Sequence, residues 1–437
     1  MTISDLCASL EGEPLGRRLY DCAAALYPIC RSITGDGVRE TLRRLQRVAP
    51  LTVHEVPSGT QVFDWTVPPE WNPHDAYVKN SRGERVIDFQ KSNLHLVNYS
   101  VPFRGRMSLE ELRPHLFTLP DKPEWIPYRT SYYAERWGFC LSQRQLEALP
   151  DGEYEVCIDS SLEPGSLTYG ECYLPGESTD EVLITCHVCH PSLANDNLSG
   201  ISIAAHLAQY LSRLALRYSY RLLFIPGTLG SITWLARNEP IVPRIRHGLV
   251  LACLGDAGPL TYKKSRRGNA AIDRATIHVL RRLGDHHVEE FSPYGYDERQ
   301  FCSPGFNLPV GRLSRTPHGK FPEYHTSADD LDFIRPAQLA ASFTTILSIV
   351  DVLENDRTYL SQNPKCEPQL GKRGLYHAVG GLAHSPDNEM AMLWLLNLAD
   401  GEHSLLDVAE RARLPFGVIR SSAKILCESG LLKAAVK

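Results

Sequence analysis

The sequence predicts an α/β chain: a largely parallel sheet covered by helices, interrupted by a β-rich insert and closed by a winged helix. Three observations carry this expectation. Between residues 154 and 255, apolar strand-like runs alternate with helical runs, the pattern of strands buried on both faces. Residues 59 to about 149 are rich in Pro, Tyr and Trp and contain no long amphipathic helix. From Met390 onward the chain reads as helix, turn, helix and a terminal hydrophobic pair, Leu431-Leu432. The expected division is 1–58 with 150–360 as the main domain, 59–149 as the insert, and 361–437 as the winged helix.

Taken in order, residues 15–30 carry apolar side chains at helical spacing. Ile33-Thr34-Gly35-Asp36-Gly37 breaks that helix, and residues 38–48 resume it with four Arg on the polar side. The Pro-rich stretch then begins with Pro57, Pro68, Pro69 and Pro73, with Trp65 and Trp71 among them. Residues 154–157, 167–174 and 181–186 read as strands. A helix follows over 201–213, a strand over 220–225, a helix over 231–237 and a buried strand over 248–255. Sheets of this kind bind ligands beyond the carboxyl ends of their strands. In the tail, Ser404 is an N-cap with Asp407 at the capping-box position. The last helix runs over 416–429 and stops at Gly430.

The chain has 437 residues, enough for about three domains at roughly 100–200 residues each. Apolar residues are 43% and charged residues 22%, ordinary globular values that exclude disorder, collagen and coiled coil. Lys and Arg number 46 against 51 Asp and Glu, so a net charge of -5 argues against an electrostatic grip on nucleic acid. In the tail, Arg411, Arg413, Arg420, Lys424, Lys433 and Lys437 face Asp400, Glu402, Asp407, Glu410 and Glu428. That near balance favours self-association or protein docking over DNA. The opening residues lack a basic segment followed by an apolar one, so no signal peptide is expected. No apolar run approaches the length of a membrane span, and the expected location is the cytoplasm. The twelve Cys then read as reduced thiols. Cys186 and Cys189 form the single CxxC, and without a second one they make no zinc ribbon.

The suggestive polar residues all follow strands. His187 ends the 181–186 strand, and Asp196 precedes a helix. Asp256 follows the 248–255 strand, and His325 lies in Tyr324-His325-Thr326-Ser327-Ala328-Asp329. Neutral imidazoles and carboxylates from strand-end loops are the donors that zinc takes. Singly each is weak: a lone His is more often structural, and Asp196 alone reads as a helix N-cap.

Together, Cys186-His187, Ala194-Asn195-Asp196-Asn197-Leu198-Ser199-Gly200, Gly255-Asp256 and the 324–329 run resemble zinc aminopeptidases of the M28 type. With the runs 262–268 and 297–305, nearly the whole chain resembles, in order, the aminopeptidase-like proteins that combine such a domain with a small insert and a C-terminal winged helix. The resemblance implies a zinc-exopeptidase-like mixed sheet covered by helices. It implies His187 as the first imidazole ligand, Asp196 as the carboxylate that bridges two metals in the relatives, and Asp256 and His325 as further ligands. The peptidases carry a carboxylate two residues after the first His to orient it. Here that position is Cys189, and His190 is the candidate to compensate.

A larger departure lies at Gly227-Thr228, where the peptidases carry Glu-Glu, a general base and a metal ligand. Losing both favours one zinc ion over two and leaves bound water without its base, a contribution of about 10²–10⁴-fold. Glu298, His190 and Glu323 are the candidate replacements. Lys263, Lys264, Arg266, Arg299, Arg315 and Tyr324 are candidates to bind substrate, against the plainer reading of a solvated basic loop. Trp125, Tyr128, Tyr132, Tyr133 and Trp137 read as packing for the insert or as one pocket wall.

The implied function is zinc-dependent, aminopeptidase-like hydrolysis of an amide or aminoacyl bond, on a small-molecule or short aminoacyl substrate from biosynthesis. Two alternatives stay open: a repurposed, non-hydrolytic site because of Gly227, and a ligand-sensing regulator acting through the winged helix.

Overall fold

The apolar runs assemble into one eight-stranded mixed sheet in a computed structural model that describes residues 3–375 and 386–435. Its strand order is Thr52–Pro57, Ser166–Leu174, Ser219–Ile225, Glu181–His187, Ile245–Leu251, Val310–Ser314, Leu260–Lys263 and His286–Glu289. The four central strands run parallel. Thr52–Pro57 and Ser166–Leu174 join antiparallel on one side, and Leu260–Lys263 joins antiparallel on the other. Every residue of Glu181–His187 and Ser219–Ile225 is buried, as both-face coverage requires. Gly248 permits the close approach of Val310, whose Cγ2 would lie 2.6 Å from a Cβ at that position.

Helix Gly200–Leu211 packs on the central strands, and Gly12–Leu26 packs on that helix. Asp36–Leu45 lies on Ser166–Leu174. The 59–149 stretch builds a second, antiparallel sheet ordered Arg85–Asp88, Glu70–Lys79, Glu153–Glu163 and Phe103–Ser108. Its longest strand, Glu153–Glu163, is supplied from beyond residue 149. Trp71 is buried against this sheet, with its indole N–H donated to the Ser100 carbonyl at 2.9 Å.

Two observed elements differ from expectation for physical reasons. The strand expected over 248–255 ends at Leu251, because side chains of the loop that precedes helix Gly200–Leu211 capture the next backbone N–H groups. Those of Cys253, Leu254 and Gly255 are donated to Asn197 Oδ1, Ser199 Oγ and Asn195 Oδ1 at 3.2, 2.9 and 2.8 Å. Helix Pro336–Asn355, with a mean hydropathy of 1.4, is long and apolar enough by composition to cross a membrane, against the expectation that no run approaches that length. Its apolar window is 61% buried inside the protein, as a core helix would be.

By internal contacts the chain divides into two compact units, 1–273 with 285–345, and 274–284 with 346–437. In the second, Thr358–Ser361 pairs antiparallel with Asp400–Ser404 and Leu432–Ala434, alongside helices Leu405–Ala412 and Phe416–Glu428. The Ser404–Asp407 capping box forms as expected: Ser404 Oγ accepts from Asp407 N at 3.3 Å, and Asp407 Oδ2 accepts from Ser404 N at 2.6 Å. Lys437 lies outside the described residues.

Candidate active site

The parallel strands end at a cavity of about 320 Å³ in the first unit. His187, the last residue of its strand, is buried, with Nε2 2.8 Å from Asp196 Oδ1. The His325 Nε2 atom approaches the other carboxylate oxygen, Oδ2, at 3.1 Å. The His190 Nδ1 atom lies 3.7 Å from that same oxygen. Ligand atoms of His187, His190 and Asp196 all fall within 4.8 Å of one another. Although burial opposes its ionisation, the surrounding imidazoles of His190 and His187 hold Asp196 well below the usual carboxylate range. Burial pushes His190 well below the ordinary imidazole value, against the opposing pull of the Asp196 carboxylate.

The loop carrying Asp196 is fixed by its own backbone. Asp329 Oδ1 accepts from Asn195 N at 2.6 Å, and Oδ2 accepts from Asp196 N at 3.0 Å. His325 is held from the insert: its carbonyl accepts the N–H of Tyr128 at 2.8 Å. The N–H of Ser327 is donated to the Ile126 carbonyl at 2.8 Å, and Ser327 Oγ accepts from Ile126 N at 3.0 Å. These bonds secure a left-handed backbone at His325 (φ 54°), which costs a side-chain-bearing residue roughly 1–3 kcal/mol.

Asp256 lies outside the cluster, a correction to its expected role as a ligand. The early end of the preceding strand turns it away. Its Oδ1 accepts from Gly258 N and Thr316 Oγ1, each at 2.7 Å, and its Oδ2 accepts from Asn195 Nδ2 at 2.9 Å. Cys253 stands nearer, with Sγ 3.8 Å from Asp196 Oδ1 and 3.1 Å from the Tyr296 hydroxyl.

Neither of the two glutamates named as replacement bases lines the cavity. Glu298 is buried behind it and accepts from Lys263 Nζ at 2.9 Å. Glu323 is half-buried. Instead Asp297 lines the cavity beside Gly227. A Cβ at 227 would lie 3.1 Å from His187 Cβ and 3.6 Å from Asp297 Oδ2. Asp297 Oδ1 accepts from Ser231 Oγ at 2.9 Å, while Oδ2 is buried with no hydrogen-bond partner. Burial pushes this carboxyl up to about 6, opposed by nearby His187. Within the 297–305 run the sequence points to Glu298, whereas the adjacent Asp297 is the acid that faces the cavity.

Most of the nominated cations are already engaged. Lys263 holds Glu298 and the Tyr294 carbonyl, the latter at 2.7 Å. Lys264 pairs with Glu290, and Arg266 donates to Asn307 Oδ1 at 3.0 Å. Arg315 donates to Ser342 Oγ and the Gly258 carbonyl at 3.0 and 2.7 Å. Arg299 lines the cavity, as does Tyr324, whose ring stacks on His325 at 3.9 Å between centroids. The aromatic group divides: Tyr128, Tyr132 and Tyr133 line the cavity. Trp137 stacks on Phe103 and His115 away from it, and Trp125 packs beside Lys122.

The donor set fits zinc. Two imidazoles and a carboxylate converge, and the Nδ1 atom of His190 is buried without a hydrogen-bond partner. One feature of the surroundings weakens the fit. His187 Nδ1 faces the Asn197 amide nitrogen at 3.3 Å, and the Cys189 thiol points instead to the Gly227 carbonyl at 3.7 Å.

A family model described as "Domain of unknown function (DUF4910)" matches residues 20–356, and a winged helix-turn-helix model matches residues 357–434. A curated relative from Clostridium acetobutylicum is 53% identical over 419 residues, 96% of each chain. It is provisionally named as a polysaccharide biosynthesis protein with an aminopeptidase-like domain. A crystal structure from the same organism, provisionally described as a peptidase, superposes with a TM-score of 0.94 at 50% identity over 99% of both chains. A zinc aminopeptidase from Bacillus subtilis shares the fold alone, at 13% identity and a TM-score of 0.56 over 78% of this chain and 95% of its own.

Proposed function

The chain belongs to the DUF4910 family, and from that membership and the site we propose a zinc-dependent hydrolase that cleaves an amide or related aminoacyl bond. Its substrate is a small biosynthetic intermediate, a reading supported by the name of the curated relative. His187, His190, Asp196 and His325 would hold one ion. Zinc in such a site polarises a carbonyl and brings bound water toward neutral pKa.

The observation that carries this reading is the unpartnered, buried Oδ2 of Asp297 beside Gly227. A carboxylate occupies the space toward which a side chain at 227 would project. With its titration raised to about 6, Asp297 is ionised at neutral pH yet basic enough to accept a proton. Ser231 holds its other oxygen and so orients the free one. Tyr296, whose hydroxyl lies 3.3 Å from Asp196 Oδ1, is pushed well above the ordinary phenol value by burial and remains a donor.

The test is product release from a panel of aminoacyl amides by zinc-loaded protein. Asp297→Asn lowers kcat about 10²-fold or more; an unchanged rate would overturn the assignment of the base. A rival reading, a site that binds without hydrolysing, is favoured by the missing carboxylate at 227. It predicts no turnover by the wild type at all.

The winged helix serves docking or self-association in this reading, on the near balance of its charges. Eleven of the twelve cysteines, all but Cys7, are seen as free thiols, which suits the reducing cytoplasm.

A further inference from the structure

Among the described residues, Arg299 forms no ion pair and no hydrogen bond, and its buried Nε atom is unsatisfied. Such an atom costs roughly 1–3 kcal/mol, more on a charged group. Among the described residues it is the only Lys or Arg lining the cavity. Its place is built: Lys263 clamps the Tyr294 carbonyl and the Glu298 carboxylate at 2.7 and 2.9 Å, fixing the turn that presents Asp297 and Arg299 together. Around it the cavity is walled by Tyr132, Tyr133 and Tyr294. Tyr133 and Tyr294 are each 71% exposed, so their rings are open at the mouth of the cavity. Tyr133 is braced by Trp65, with ring centroids 5.7 Å apart.

We propose that the substrate carries an acidic group, carboxylate or phosphate, that pairs with the Arg299 guanidinium while a ring of the same molecule lies on the tyrosines. A planar guanidinium with free N–H groups matches two acid oxygens at once. Exposed tyrosines cover a flat ring at low entropic cost. The proposal rests on reading this cavity as the substrate site, but not on hydrolysis.

The test uses the full chain stripped of zinc, so that the acid cannot bind through the metal. Titration calorimetry compares 4-hydroxyphenylacetate, its neutral amide 4-hydroxyphenylacetamide, and phenyl phosphate. An acid is expected to bind about tenfold or more tightly than the amide. Preference for phenyl phosphate identifies the group as phosphate, and preference for 4-hydroxyphenylacetate identifies it as carboxylate; either supports the proposal. Arg299→Gln abolishes the preference and Arg299→Lys keeps part of it, with circular dichroism confirming the fold. The wild-type comparison stands alone if a variant misfolds. Equal binding of acid and amide, or no binding of either acid at millimolar concentration, overturns the proposal. Because no turnover is read, failure of the Asp297 experiment leaves this result intact, and the reverse also holds.

Discussion

The two oxygens of Asp297 meet different surroundings, and that difference makes a pH prediction. The group must be ionised to accept a proton, so kcat/KM should rise with pH through an apparent pKa near 6. That ascending limb should vanish in Asp297→Asn and persist in Asp297→Glu. Gly227 gives a second residue-scale prediction. A Glu there would crowd His187 and set a second carboxylate against Asp297. Gly227→Glu alone should therefore not raise turnover, whereas paired with Asp297→Ala it should recover some of the lost rate. His187 Nδ1 faces the Asn197 amide nitrogen at 3.3 Å, and Cys189 stands where the M28-type resemblance implies a carboxylate. Cys189→Asp should raise zinc affinity about tenfold by competition titration, the usual scale for such outer partners.

Among the elements, the loop between the Glu181–His187 strand and the Gly200–Leu211 helix does the most positioning. Asn195, Asn197 and Ser199 end the neighbouring strand early, and Asp329 secures the backbone of Asn195 and Asp196. Asp329→Asn leaves one of those two N–H groups without its acceptor. It should cost about 1–2 kcal/mol in urea unfolding and weaken zinc binding together. His187, Asp196 and His325 are legible in the sequence because each follows an apolar strand-like run or sits in a recognisable run. Asp256 is misleading for a physical reason: the turn that removes it is made by side chains some sixty residues away in the chain. Asp297 is hidden for another, since two adjacent acids differ only in which one a distant lysine buries. The parallel strands themselves are readable because burial on both faces leaves continuous apolar runs.

For the whole molecule, the one donor cluster found among the described residues predicts one zinc per chain by metal analysis. Zinc at about a hundred times its dissociation constant should stabilise the first unit by about 2.7 kcal/mol, and chelation should remove that gain. In the second unit, Ser404→Ala removes a capping box and should cost about 1 kcal/mol there, with turnover unchanged. The three backbone and hydroxyl contacts between residues 126–128 and the His325 loop reach further than stability. A chain trimmed of residues 59–149 and rejoined could retain every strand of the large sheet. It would nevertheless lose the partner that keeps His325 in its left-handed turn. Residues 126–128 are thus part of what aims that imidazole, and any shortened version of the protein must supply a substitute for them.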